Sequence, residues 1–108
     1  MLDDVATTKF KKDFKKVKKQ GKDLNLLKQI IEQLRKQEAL DIKYKDHALT
    51  NNWKGARECH LEPDWLLIYE VSKKNNTLTL LRTGSHSELL EDLNMLQKLD
   101  NIIHEALK

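Results

Sequence analysis

Three of the chain's four histidines lie between Tyr44 and His86, among other reactive polar groups. The stretch reads Tyr44-Lys45-Asp46-His47, then Trp53-Lys54-Gly55, then Glu58-Cys59-His60-Leu61-Glu62-Pro63-Asp64-Trp65, and finally Arg82-Thr83-Gly84-Ser85-His86. Imidazole is the one side chain that ordinarily gains and loses its proton near neutral pH. Gathered with Asp64 and Arg82, the histidines His47, His60 and His86 can move protons around a bound phosphate. RNA cleavage needs such a set: a base for the 2′-hydroxyl proton, an acid for the departing 5′-oxygen, and positive charge beside the phosphate. Histidine or aspartate can be the base and histidine the acid. Arginine can be the clamp, because its fork matches phosphate oxygens. No metal or cofactor is required.

Each residue also has a plainer structural role. Asp64 follows proline and suits a turn. Trp53 and Trp65 suit core packing. Cys59, the single cysteine, suits a small buried hydrophobe and excludes an internal disulfide. Three histidines can bind zinc, but their spacing matches no compact ligand motif, so no metal site is expected. The chemical case rests on the combination.

The elements that must position these groups follow from periodicity. Thr7 or Thr8 can cap a helix whose apolar stripe is Phe10, Phe14 and Val17, ended by Gln20-Gly21. Asp23 can cap a second helix, with Leu27, Ile30, Ile31 and Leu34 as its buried stripe. Residues 1–7 are ambiguous between a short strand and none, and 38–54 read as a connection with little pattern. The period then changes. Ala56 to Leu61 reads as a strand, with Arg57, Cys59 and Leu61 on one face and Ala56, Glu58 and His60 on the other. Glu62-Pro63-Asp64 is a turn. Trp65 to Val71 is nearly all apolar, as a strand covered on both faces requires. Lys73–Asn76 turns into a third strand, Thr77 to Thr83, which Gly84 breaks. Ser85 or Ser87 then caps a last helix, with Glu88 completing a capping box. Leu89, Leu93, Leu96, Ile103 and Leu107 are its stripe.

The expected fold is α+β: a mostly antiparallel sheet with an N-terminal helical hairpin packed on it, plus an extra C-terminal helix. In such a meander the end of the first strand, the start of the second and the end of the third share one edge. His60, Asp64, Arg82 and His86 therefore converge on one rim, and His47 can join from the preceding loop.

At 108 residues the chain makes one domain with a real core. It has no apolar run long enough for a membrane span and no signal-peptide pattern, so a cytoplasmic protein with no membrane partner is expected. The net charge of +3 is unevenly spread. Five acids and two lysines fall between Ser85 and Lys108, a net of −3, which leaves +6 on the first 84 residues. Lys9, Lys12, Lys16 and Lys19 are among eight lysines crowded between positions 9 and 22. Such a surface suits a polyanion, or simply a solvated helix face.

These motifs together resemble the YafQ branch of the RelE-type bacterial toxins. The matching stretches are Tyr44-Lys-Asp-His-Ala-Leu49, Trp53-Lys-Gly55, His60-Leu-Glu-Pro-Asp-Trp65 leading into Leu67-Ile68-Tyr69, and Arg82-Thr-Gly-Ser-His86. With the two helices before them they cover residues 1–90, a RelE-like domain, which leaves 91–108 as a helical extension of the same domain. The resemblance implies a ribosome-dependent mRNA endoribonuclease, an mRNA interferase toxin that inhibits translation by metal-independent cleavage through the RNA 2′-hydroxyl. It implies a cognate antitoxin as partner, ribosome and mRNA as targets, and DNA contact only through the antitoxin. Carried over by position, His47, His60, Asp64 and His86 are catalytic. His86 is the general acid, Asp64 or His47 the base, and His60 and Arg82 steady the phosphate. Lys9, Lys12, Lys16, Lys19, Lys54 and Arg57 are the RNA-facing cations. Leu90 stands where the family often has an aromatic that holds the mRNA base. The alternative, motivated by Leu90 and the acidic extension, is a catalytically weakened module of the same fold that binds RNA or antitoxin.

Overall fold

The computed structural model describes residues 1–50 and 53–89. The expectations for Leu90 and for the 91–108 extension lie outside the described residues.

Five strands form one mixed sheet: β1 (Asp3–Ala6), β2 (His47–Ala48), β3 (Arg57–Glu62), β4 (Trp65–Ser72) and β5 (Thr77–Gly84), in the order β1-β5-β4-β3-β2. The β3-β4-β5 meander is antiparallel, and β2 extends it at one edge. At the other edge β1 pairs parallel with β5, Asp3 opposite Thr77 through Ala6 opposite Leu80. The ambiguous N-terminus is thus a strand. Its polar Asp3-Asp4 pair is tolerated because an edge strand is half solvated. Gly84, expected to break the third strand, is instead its last residue.

Helices α1 (Thr8–Lys19) and α2 (Leu24–Arg35) form the expected hairpin. Thr7 caps α1 by accepting from the Phe10 amide at 3.0 Å, and its hydroxyl donates to the Leu81 carbonyl. Asp23 caps α2 by accepting from the Asn25 and Leu26 amides. Each cap is worth about 1 kcal/mol. Gly21 takes φ +75° between the helices, the left-handed region that glycine enters without a Cβ clash.

Both sheet faces are covered, which explains the apolar run in β4. On one face Phe10, Val17, Leu27, Ile30 and Leu34 of the helices pack on Cys59, Trp65, Leu67, Tyr69, Leu78 and Leu80. On the other, Ala56, Leu66 and Ile68 meet Leu89, with Leu49, Trp53 and Leu81 alongside. Trp65 is fully buried, and its indole N–H donates to Thr83 Oγ1 at 2.9 Å. That satisfies its polar atom inside the core, as a buried indole requires. Asp13 ties α1 to β5, accepting from the Thr83 amide and from Arg82.

Residues 38–50 carry more order than their sequence pattern announces. Asp41 caps a short 3₁₀ turn, Ile42–Tyr44, and Lys45 closes it with φ +50°. β2 follows at once.

Candidate active site

The site is assembled by strand register. His47 pairs with Glu58 across β2 and β3, and Glu58 and His60 are two apart on β3. Directly opposite and alternate residues share a face, so His47, Glu58 and His60 project together on the side away from the helical hairpin. A register shift between His60 and Glu62 bends the end of β3 beside the turn. Pro63 and Asp64 make that turn. Ser85 caps a new helical turn at 86–89 by accepting from the Glu88 amide at 3.3 Å, which sets His86 at its start.

Three imidazoles therefore stand in a row. The His47 and His60 ring centroids are 6.2 Å apart, and those of His60 and His86 are 5.1 Å apart. Two carboxylates back them. Glu58 Oε1 lies 3.3 Å from His60 Nε2 and 3.9 Å from His47 Nε2. Asp64 Oδ1 accepts from the His86 amide at 3.0 Å and lies 3.5 Å from His86 Nδ1. On the outer flank His47 Nδ1 is 2.7 Å from the Lys45 carbonyl. A carbonyl only accepts, so Nδ1 carries the proton in this bond. The neutral ring then keeps its lone pair on Nε2, the atom facing Glu58.

An open cleft of about 660 Å³ adjoins His60 and His86, with Lys43, Tyr44 and Lys45 on its rim and Leu61 among its apolar walls. The arrangement offers proton acceptors and donors, cations at the edge, and room for a nucleotide.

The structure brings together His47, His60, Asp64 and His86. Arg82 is held by Asp13, with Nε at 2.7 Å from Oδ2 and Nη2 at 3.2 Å from Oδ1, and both side chains are nearly buried. That pair takes two of the five guanidinium N–H groups. Arg57 donates to Asp46 Oδ1 at 3.2 Å. Lys9, Lys12, Lys19 and Lys54 are exposed, and Lys16 pairs with Glu88 at 2.7 Å. Glu58 carries no sequence signal beyond its alternation with His60, which puts it on the same face; the pairing of His47 opposite it sets one carboxylate between two rings. Cys59 is fully buried, and burial pushes its thiol up to about 12, first by desolvation and then by the nearby carboxylates. It is inert packing at neutral pH.

His47, Glu58 and His60 also fit a metal ion. Their ligand atoms all lie within 4.8 Å of one another. Ligands about 2.0–2.1 Å from a tetrahedral zinc stand about 3.3–3.4 Å apart, close to the 3.3 Å and 3.9 Å separations from Glu58. Imidazole and carboxylate together suit zinc or copper. The third ligand is Glu58, not the His86 that a three-histidine site would use.

Sequence and fold both match known proteins. Residues 3–91 match the family of YafQ bacterial toxins of type II toxin–antitoxin systems. The chain is 44% identical over 81 residues to the mRNA interferase toxin YafQ of Escherichia coli strain B / BL21-DE3, covering 74% of this chain and 86% of that protein. A metal-bound toxin from Helicobacter pylori superposes with a TM-score of 0.79 at 49% identity, covering 82% of this chain and 99% of that one. The YafQ structure in the Escherichia coli DinJ-YafQ toxin-antitoxin complex gives 0.74 at 40% identity, covering 82% and 96%.

Proposed function

This chain belongs to the YafQ family of bacterial type II toxins, and from that premise we propose that it is a ribosome-dependent mRNA endoribonuclease restrained by a cognate antitoxin. The observation that carries the reading is the row of three imidazoles backed by two carboxylates.

The geometry favours distinct roles. His47 is the base: its Nε2 lone pair takes the 2′-hydroxyl proton, and Glu58 stabilises the imidazolium that results. The 2′-oxygen attacks the adjacent phosphorus, and a cyclic 2′,3′-phosphate forms as the 5′-oxygen leaves. His86 is the acid. With Nδ1 turned to Asp64, its Nε2–H faces the leaving oxygen, much as a carboxylate orients imidazole in hydrolase triads. Asp64 orients His86, which leaves the base to His47. His60, held on Glu58, donates to the phosphate oxygens, and Lys43 and Lys45 add positive charge along the cleft. No step needs a metal. The exposed lysines of α1 meet ribosomal RNA, where phosphate contacts dominate affinity.

An antitoxin is expected because the relative YafQ forms a complex with DinJ. Any DNA contact runs through it. Among the described residues no helix is long and apolar enough to cross a membrane.

The test is expression of wild type and His86→Ala in a bacterium, with mapping of mRNA 5′ ends. Growth arrest with new cuts for the wild type, and neither for the variant, supports the reading. Loss of a general acid typically costs about 10²–10⁴ in rate. Equal growth with no new cuts refutes it and favours the binding-only module.

A further inference from the structure

His47 is poorly held by its own strand. β2 is two residues long, both exposed, and its register consists of His47 opposite Glu58 and Ala48 opposite Arg57. Such a strand does not hold a base to the tolerance that proton transfer demands.

The missing restraint is one residue away. Asp46 Oδ1 accepts from the Tyr69 hydroxyl at 2.6 Å and from Arg57 Nε at 3.2 Å. Tyr69 is 1% exposed, in the middle of the central strand. Arg57 and Tyr69 are direct partners across β3 and β4, on the helix-covered face. Successive residues of an extended chain point to opposite faces. Asp46 therefore fastens the segment from one side of the sheet while His47 faces the other. Burial and the Asp46 carboxylate both push the Tyr69 phenol up, so it remains a donor. A charge-assisted bond of this length is among the stronger ones. On the far side of Asp46, Lys45 adopts φ +50° and turns its carbonyl onto His47 Nδ1. The bond that sets the His47 tautomer thus depends on the backbone path that Asp46 anchors.

We propose that Asp46 is a positioning residue of the nuclease site, fastening the Lys45–His47 segment to Tyr69 and Arg57 so that the His47 ring meets Glu58 in one tautomer. The proposal rests on the reading of His47 as base. Asp46 itself touches no substrate.

The test uses the full chain with ribosome-bound mRNA as substrate. Asp46→Ala, Asp46→Asn and Tyr69→Phe are compared, each alone and combined with His47→Ala. Asp46→Ala is expected to lower kcat about 10- to 100-fold, the scale of a misplaced catalytic group, with KM within about twofold. Tyr69→Phe and Asp46→Asn fall between it and the wild type. None lowers the rate further once His47 is alanine, because all act through that ring. Nitrogen NMR of the imidazoles should show His47 passing from one tautomer to a mixture in Asp46→Ala, with His86 unchanged. A role confined to fold stability would lower Tm and leave that signature in place. Losses that add fully to His47→Ala, or an unaltered His47 tautomer, overturn the proposal. If Asp46→Ala does not fold, Tyr69→Phe and Asp46→Asn decide by the same two readouts. If the wild type cuts no RNA, the nuclease reading fails separately and the tautomer measurement still judges the positioning.

Discussion

Glu58→Gln should slow the chemical step while sparing substrate binding. The Glu58 side chain is 12% exposed, and its carboxylate faces two imidazoles, at 3.3 Å and 3.9 Å. A unit charge pair at about 4 Å is worth ~4 kcal/mol at an effective dielectric near 20. His47 is half exposed, so solvent screens part of that. About 1.5–3 kcal/mol is a reasonable remainder, or roughly 10- to 150-fold in rate. The effect falls on kcat, because the stabilised charge on His47 exists only after it has taken the proton. Glutamine keeps the size and a hydrogen-bonding oxygen, so the fold should survive. The assay is single-turnover cleavage of a defined mRNA at saturating toxin, with KM from the concentration dependence. A kcat within about twofold of wild type, or a change confined to KM, would refute the assignment of Glu58 as the partner of a charging base.

Zinc or copper should occupy His47, Glu58 and His60 and block the proton acceptor. Activity is then unaffected by a strong chelator and suppressed by added Zn²⁺, and calorimetry should show Zn²⁺ affinity falling in Glu58→Gln. Activity that chelation abolishes and Zn²⁺ restores would reverse the metal's role. Cys59 should resist iodoacetamide at pH 8 in the folded protein, since burial raises its thiol to about 12, and should react on unfolding. Rapid labelling of the native protein would contradict its placement. The hydrogen bond from Lys16 holds the Glu88 carboxyl below its usual 4.5. A depressed folded value stabilises above the unfolded value and is lost as pH falls through the folded one. Lys16→Met should therefore lower Tm at pH 7 and make no difference once Glu88 is protonated. A Tm gap that persists in acid would count against the pair.

Much of this protein is local in origin. The caps at Thr7, Asp23 and Ser85, the apolar stripes of the two helices, the Pro63-Asp64 turn and the fully apolar β4 are written in short windows, because helix and strand periods of 3.6 and 2 need only neighbouring residues. Histidine and aspartate at strand ends in a meander point to one rim. Other features needed partners far apart in sequence. Asp3-Asp4 becomes a strand only because Thr77–Leu80 offers an open parallel edge. Glu58 becomes part of the site because a two-residue strand sets His47 opposite it. Arg82 meets Asp13, 69 residues away, and Asp46 meets Tyr69, 23 residues away. The side-chain inventory and element types follow from composition and spacing. Which carboxylate meets which cation follows from register and packing, which no local window contains.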